Sequence, residues 1–296
     1  IFILIFYFIF IIYSDFEKFF EAFVTIQFVF VPIMLLGTFV TMIIKGIRQH
    51  VMLKNLKVSL SLKNSILLYF AGSSMTLTPG GIGSVIKSYF LKKKYGINIS
   101  DTFPLVFLER FHDLFAIACI ITITLFFLPR FEILFLICFV FLFLIFGFIV
   151  IRSKIFFLLI KKFFAKLPKI NSIFESIDES YDGFNLLTKP RITIQSWILS
   201  IIAWIVDAIV IFLVFSSFNL NFDFILTTLI THSSFLLGNL SIIPAGLGIT
   251  EITTTGFLVQ EGIELSLATS IVVIIRLVTT WFATIIGLIT TRFYLK

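Results

Sequence analysis

Charged residues are scarce in this sequence of 296 residues: Asp, Glu, Lys and Arg together make up 13% of it, whereas 59% of the residues are apolar. An average soluble domain carries about 25% charged and roughly 45–50% apolar residues. The chain therefore has too little polar material to cover the surface of a water-soluble globule of its size. This composition excludes a soluble enzyme, a disordered chain and a collagen-like fibre, and it indicates a multi-pass membrane protein.

Residues that build metal or disulfide sites are also few. The two cysteines, Cys119 and Cys138, both lie inside apolar segments without ligand spacing, so we expect neither a disulfide framework nor a metal site. His112 and His232 show no metal-ligand spacing either. Because the sequence contains no nucleotide-binding loop and no nucleophile motif, we predict no catalytic residue and no cofactor.

Basic residues exceed acidic ones by 23 to 16, which gives a net charge of +7. They cluster between apolar segments, so we interpret them as cytoplasmic loops that face anionic lipid, not as a nucleic-acid-binding surface. The segments 45–64 and 152–169 and the end of the chain are the basic regions. This bias predicts a cell-membrane protein with a cytoplasmic C-terminus. The predicted loop 45–64 carries Lys45, Arg48, Lys54, Lys57 and Lys63.

Five apolar segments are long enough to cross a hydrocarbon core, which takes ~20 helical residues. They are 22–44, 102–128, 133–151, 192–218 and 265–291. Residues 1–13 are apolar but shorter, and we interpret them as the remainder of a first span. Acidic and apolar residues alternate over 170–190, which predicts a helix that lies along the cytoplasmic surface.

Two further apolar segments begin and end on the same side of the predicted topology. The first, 65–91, starts and ends in the cytoplasm and is interrupted at Pro79-Gly80-Gly81. Its first arm, 65–78, would be only ~21 Å long as a helix, which is too short to span. The second, 224–262, starts and ends outside and is interrupted at Pro244. We therefore predict two re-entrant helical hairpins, although residues 224–243 are long enough to span alone.

The two interruptions share the pattern Pro-x-Gly-x-Gly, at 79–83 and at 244–248. Each is followed by an apolar helix with one arginine, since Arg110 lies 31 residues after Pro79 and Arg276 lies 32 residues after Pro244. The predicted fold is thus an all-α polytopic membrane bundle with two inverted repeats, each containing a broken re-entrant hairpin. It forms one membrane domain over 1–296. The first repeat is 22–128, the connecting span and surface helix are 133–190, and the second repeat is 192–291.

A broken helix exposes backbone groups that can bind an anion. Proline removes a backbone donor and glycine permits positive φ, so the helix stops and a new one starts. The positive end of the new helix can hold a phosphate. With the two arginines added, the predicted residues that bind a lipid headgroup are Pro79, Gly81, Gly83, Ser84, Lys87, Arg110, Gly246, Gly248, Glu251 and Arg276.

Several charges lie inside the apolar spans, where each costs ~2.5–3.5 kcal/mol. Glu109 and Asp113 are one helical turn apart and therefore share a face. Together with Asp207 in the fourth span, they are the predicted charge partners of the two arginines.

Two interpretations of these charges stay open. In the functional one, Arg110 and Arg276 bind a lipid phosphate from two sides, while Glu251 and Asp207 neutralise them or carry protons. In the alternative, ion pairs such as Arg276 with Glu251 or Arg110 with Asp207 only hold the helices together.

These motifs resemble the lysylphosphatidylglycerol synthase transmembrane-region family of flippase-like membrane proteins. The resemblance rests on 78–83 followed by Lys87, on Glu109-Arg110 with Asp113, and on 244–248 with Glu251 and Arg276. It implies a polytopic lipid-handling domain. In bifunctional members that domain moves an aminoacylated phospholipid between leaflets, and a separate soluble domain makes the lipid. Related archaeal members are associated with dolichol-linked sugar assembly.

The sequence departs from the family pattern at Ser84, where the family usually has glutamate, so a carboxylate role in the first repeat is in doubt. The resemblance covers the membrane region alone. Aminoacyl transfer is therefore not assigned to residues 1–296, and we expect a transporter more than an enzyme.

The favoured hypothesis is a lipid translocase that moves a phosphate-bearing lipid, such as an aminoacyl-phospholipid or a polyprenyl-phosphate-linked lipid, between leaflets. Its expected partners are anionic or phosphate-bearing membrane lipids and a lipid synthase or glycosyltransferase encoded nearby, with no nucleic acid. One alternative is a membrane-embedded transferase or accessory subunit in lipid or lipid-linked sugar synthesis, in which carboxylates act as general base. Another is a small-ion transporter.

Overall fold

The computed structural model describes residues 2–13, 15–76, 86–164, 171–241 and 243–294. Within these ranges the chain is helical and contains no strand, which confirms the predicted all-α class. The helices are α1 Phe2–Tyr13, α2 Phe16–Val24, α3 Val31–Asn55, α4 Leu62–Ser73, α5 Ile86–Tyr95, α6 Ile99–Phe127, α7 Phe131–Arg152, α8 Lys154–Phe164, α9 Asn171–Leu187, α10 Pro190–Ser217, α11 Phe224–Leu240, α12 Ile249–Gln260, α13 Leu265–Arg276 and α14 Phe282–Tyr294.

Among the described residues, five helical segments are long and apolar enough to cross a membrane, the number that the apolar segments of the sequence predicted. They are Phe28–Asn55, Ile99–Phe127, Phe131–Arg152, Pro190–Ser217 and Leu265–Phe293. The last four agree with the predicted spans to within three residues at either end. The fifth joins α13 and α14 through a single wide turn of π-helix, Leu277–Trp281.

The first span lies further along the chain than predicted. Residues 22–44 do not form one helix, because α2 ends at Val24 and α3 begins at Val31 with Pro32 in its first turn, where the missing proline donor costs nothing. From there no further proline intervenes before Asn55. The predicted loop 45–64 is therefore wrong over its first half, and Lys45 and Arg48 belong to α3.

The second interruption is a break between two helices, as its Pro-x-Gly-x-Gly pattern predicted. Between α11 and α12 the chain makes a short 3-10 turn, Pro244–Gly246. Positive φ angles at Ala245 (+51°), Gly246 (+66°) and Gly248 (+86°) keep α11 and α12 from forming one continuous helix, because continuous α-helix requires negative φ. The re-entrant course and the inverted relation of the two repeats stay predictions.

The first interruption, at Pro79, lies outside the described residues, as do Gly81, Gly83 and Ser84. Its flanking helices are α4 and α5. The predicted surface segment 170–190 is helical over α9, which packs on α6 through Phe184: that ring is 4% exposed and makes edge contacts with Phe103 and Phe107. Its position along a membrane surface stays a prediction.

Helix α7 shows the surface expected of a span in lipid. Large apolar side chains remain exposed along it, and Phe131 (81%), Phe135 (84%) and Phe146 (67%) are the most prominent. In a soluble protein such a surface would drive association. In a membrane this apolar surface of α7 is suited to contact with acyl chains. The polar interactions lie on the other side of α6, where a cavity opens.

Candidate functional site

A cavity of about 210 Å3 opens among α3, α4, α6, α10 and α11 and the segments that follow the second break. It brings together most of the charged residues that the sequence placed inside the bundle. Its charged lining residues are Lys45, Arg48, Lys87, Arg110 and Arg276 with Glu109, Asp113 and Asp207. Five cations thus face three carboxylates, so the cavity is suited to an anion.

Asp113 holds one side of the cavity through several donors. Its Oδ1 accepts from Arg48 Nη1 at 2.6 Å and from Trp204 Nε1 at 3.2 Å, and Lys45 Nζ lies 3.9 Å away. Arg48, which is 1% exposed, also donates to Ser200 Oγ at 2.6 Å. This network joins α3, α6 and α10 and neutralises a cation that would be costly to bury alone.

Lys87, at the start of the helix after the first break, forms a buried ion pair with Glu109. Lys87 Nζ lies 2.6 Å from Glu109 Oε2 and 4.3 Å from the centre of the Tyr69 ring. Gly72 makes room for the lysine, because a Cβ there would lie 2.6 Å from Lys87 Cγ. The second oxygen of the carboxylate, Glu109 Oε1, is buried without a hydrogen-bond partner among the described residues.

Glu251, at the start of the helix after the second break, is fully buried and accepts three hydrogen bonds. Its Oε1 accepts from Arg276 Nε at 2.8 Å and from Tyr7 Oη at 2.9 Å, and its Oε2 accepts from the Gly248 amide at 2.8 Å. Arg276 Nη2 donates to the Ala245 carbonyl at 3.0 Å. The ion pair considered above as an alternative role for Arg276 is therefore present.

Two charged groups at the cavity have no partner among the described residues. Arg110 is exposed to the cavity and forms neither a hydrogen bond nor an ion pair there. Asp207 is 8% exposed and likewise has neither. The considered ion pair between Arg110 and Asp207 is not formed, so both groups are available to a ligand.

The backbone at the second break is largely engaged internally. The Gly246 amide donates to the Ile243 carbonyl at 2.9 Å, and the Gly248 amide donates to Glu251. Gly246 also packs against Gly238, since a Cβ at Gly246 would lie 2.8 Å from Gly238 Cα. Anion binding by the amides of this break stays a prediction.

The sequence reasoning missed Lys45 and Arg48, which it assigned to a loop. A signal for them was present, because Thr38, Thr41, Lys45 and Arg48 recur at intervals of three or four residues. That spacing places them on one face of a helix, and all four line the cavity. The aromatic cavity residues Tyr69 and Trp204 carried no comparable signal.

Five membrane-length helical segments among the described residues, four of which line a charged cavity, define a multi-pass integral membrane protein with a polar site between its helices. Residues 1–287 match the family profile described as the lysylphosphatidylglycerol synthase TM region, and the chain belongs to that family.

The chain is also similar to proteins described as UPF0104 membrane proteins. The chain is 28% identical over 224 residues to a UPF0104 membrane protein of Methanocaldococcus jannaschii, a match that covers 72% of this chain and 91% of the relative. It is 30% identical over 112 residues to one of Pyrococcus horikoshii, covering 38% of this chain and 33% of the relative. With one of Methanothermobacter thermautotrophicus it shares 32% identity over 98 residues, which cover 33% and 29%.

Proposed function

We propose that this protein moves a phosphate-bearing lipid, such as an aminoacyl-phospholipid or a polyprenyl-phosphate-linked lipid, between the leaflets of a cell membrane. The observation that carries the proposal is Arg110, an arginine without an ion-pair partner among the described residues, which lies at a cavity between the membrane-length helices. The headgroup occupies the cavity, and the lipid tails stay in the bilayer beside it.

The charge balance of the cavity supports an anionic ligand. Lys87 is paired with Glu109, Arg276 with Glu251, and Arg48 with Asp113. Arg110 remains, and a guanidinium can bind two phosphate oxygens at once through parallel N–H donors. Lys45 shares Asp113 with Arg48, at 3.9 Å from Oδ1, so a phosphate would neutralise the one lining cation that lies in no ion pair among the described residues.

The proposed route through the membrane uses the two breaks. Broken helices at membrane depth are tolerated where they line a wet cavity, and Ala245 and Thr250, on either side of Gly248, line this one. We infer that the hairpins at Pro79 and Pro244 enter from opposite faces, with the C-terminus in the cytoplasm. A lipid synthase or glycosyltransferase encoded nearby would supply the lipid.

The test is leaflet exchange in liposomes that contain the purified protein and a fluorescent phospholipid or polyprenyl phosphate. We expect Arg110→Gln to slow exchange by at least about tenfold, because a hydrogen bond to a charged group contributes about 1.5–3 kcal/mol. Arg292→Gln is the matched control, since Arg292 is exposed near the end of α14, away from the cavity, and it should leave exchange unchanged.

The outcomes separate the hypotheses. Exchange by Arg110→Gln at the wild-type rate would remove Arg110 from the site and the proposal with it. Modification of the lipid headgroup without exchange would favour the transferase alternative. Because Arg110 has no partner to lose among the described residues, its variant should keep the wild-type unfolding temperature, which excludes misfolding as the cause of slow exchange.

A further inference from the structure

Asp207 differs from the other carboxylates at the cavity. Glu109 lies 2.6 Å from Lys87, Asp113 lies 2.6 Å from Arg48, and Glu251, beside the cavity, lies 2.8 Å from Arg276. Asp207 has no hydrogen bond and no cation within ion-pair distance among the described residues. Its side chain is nevertheless buried, since it is only 8% exposed.

The position of Asp207 makes this lack of a partner significant. It is residue 18 of the 28 in α10, near the middle of a membrane-length helix. A carboxylate at such a depth is unfavourable unless it is paired, hydrated or protonated. Its side chain lines the cavity, so water and protons can reach it by the same route as a ligand.

The cavity that Asp207 lines also holds charged groups of both signs, which belong to several of the helices that pack against α10. Lys45 of α3 lines the same cavity. Further charged or titratable groups at or near the cavity on these helices are Arg48 of α3, Glu109, Arg110, His112 and Asp113 of α6, His232 of α11 and Arg276 of α13.

We propose that Asp207 is a proton-binding site whose protonation is coupled to the binding of the anionic headgroup in the same cavity. This inference rests on the proposed function. A carboxylate oxygen of Asp207 takes a proton from the water on one side of the membrane and releases it to the other side. On uptake an O–H bond of hydronium breaks as the carboxyl O–H bond forms, and on release the carboxyl O–H bond breaks as a water molecule on the other side becomes hydronium.

The physical basis of the coupling is repulsion between two negative charges. A phosphate bound to Arg110 would share the cavity with the Asp207 carboxylate, and protonation removes that repulsion. Headgroup binding therefore favours proton binding, and linkage requires the reverse as well. Since both bind together, the lipid moves in the same direction as the proton and accumulates in the leaflet that faces the more alkaline side.

A pH difference across proteoliposomes tests the coupling. With valinomycin and equal potassium holding the membrane potential at zero, one proton per lipid lets a one-unit pH difference support a leaflet ratio of up to about tenfold. We expect the wild type to accumulate labelled phospholipid in the alkaline-facing leaflet. Asp207→Asn, which mimics the protonated form, should equilibrate the lipid between leaflets without accumulating it.

The matched control is Asp182→Asn, because Asp182 is an exposed aspartate of α9 outside the cavity; it should accumulate lipid as the wild type does. Accumulation by Asp207→Asn at the wild-type ratio would overturn the inference, and so would a wild type that exchanges lipid but ignores the pH difference. In both cases the proposed function would stand. A wild type that exchanges no lipid would instead refute the proposed function.

Infrared spectroscopy of the reconstituted protein gives a readout that does not depend on transport. We expect a carbonyl band of a protonated carboxyl that is lost in Asp207→Asn, is retained in Asp182→Asn and persists to higher pH when phospholipid is added. If the Asp207→Asn variant retained every carboxyl band of the wild-type spectrum, the assignment of the proton-binding site to Asp207 would be wrong.

Discussion

The two helices that follow the Pro-x-Gly-x-Gly segments are each joined to the next long helix by a buried ion pair, but the charges are reversed. After the first segment, the short helix α5 supplies the cation, Lys87, and α6 supplies the acid, Glu109, with 2.6 Å between them. After the second, the short helix α12 supplies the acid, Glu251, and α13 supplies the cation, Arg276, with 2.8 Å between them. The partners are 22 and 25 residues apart.

The difference shows how one architecture gives the two sides of a cavity different chemistry. Glu251 accepts hydrogen bonds from Arg276, Tyr7 and the Gly248 amide, so three donors hold the carboxylate of the second pair in place. Glu109 keeps one buried oxygen without a partner among the described residues. Next to Glu109, Arg110 has no hydrogen-bond or ion-pair partner among the described residues, whereas Arg276 is paired with Glu251. We infer that the first pair lies on the side that responds to the ligand and that the second pair is mainly structural.

The largest effect should come from removing the acid of the second pair. Glu251→Ala leaves Arg276 buried without its counter-charge and the Gly248 amide without its acceptor. Because arginine cannot lose its proton, we expect a loss of about 3–5 kcal/mol in the free energy of unfolding. Unfolding in mixed detergent micelles measures it.

The control for that variant is Glu17→Ala, since Glu17 is exposed on α2 and should change the free energy of unfolding little. If Glu251→Ala unfolded at the same denaturant concentration as the control, the second ion pair would not stabilise the fold. The inferred difference between a structural second pair and a ligand-responsive first pair would then be wrong.

A smaller loss is expected when the cation of the first pair is removed. Lys87→Met leaves Glu109 buried, but a carboxylate can take up a proton and become neutral, so the loss should lie near the lower limit of about 3 kcal/mol. Adding Glu109→Gln should restore most of the stability, because no uncompensated charge then remains. The same unfolding assay measures the stability of both variants. If the double variant were as unstable as Lys87→Met, the lysine would stabilise the protein through packing on Tyr69 and not through its charge.

The comparison also shows which features the sequence could reveal. Hydropathy located four spans, because a long apolar segment needs no partner to be recognised. The second break was predictable since Pro244, Gly246 and Gly248 act on their own backbone. The positive-inside rule failed at Lys45 and Arg48, because it assigned these basic residues to a loop. In the structure they lie beside threonine hydroxyl groups on one face of a helix, and they line the cavity.

Partners distant in the chain were mostly beyond prediction. Tyr7 and Glu251 are 244 residues apart, and Arg48 and Ser200 are 152 apart, so only the packing of helices brings them together. Arg276 with Glu251 was one of two pairs considered, and the other, Arg110 with Asp207, is not formed. Charge type alone could not distinguish them, because which partners meet depends on helix rotation.

The smallest of these effects concerns the backbone of the break itself. Gly246 has a φ of +66°, and a Cβ there would lie 2.7 Å from Thr250 Oγ1, so Gly246→Ala should cost about 1–2 kcal/mol for the left-handed conformation alone. Gly256→Ala is the control, because nothing lies within 4 Å of a Cβ at that position of α12, and it should stabilise the helix by about 0.5–1 kcal/mol.

Gly81 aligns with Gly246 in the predicted repeat. If the repeat is real, Gly81→Ala should destabilise the protein as Gly246→Ala does, and a stabilisation like that of Gly256→Ala would show that the two Pro-x-Gly-x-Gly segments share a pattern but not a backbone conformation.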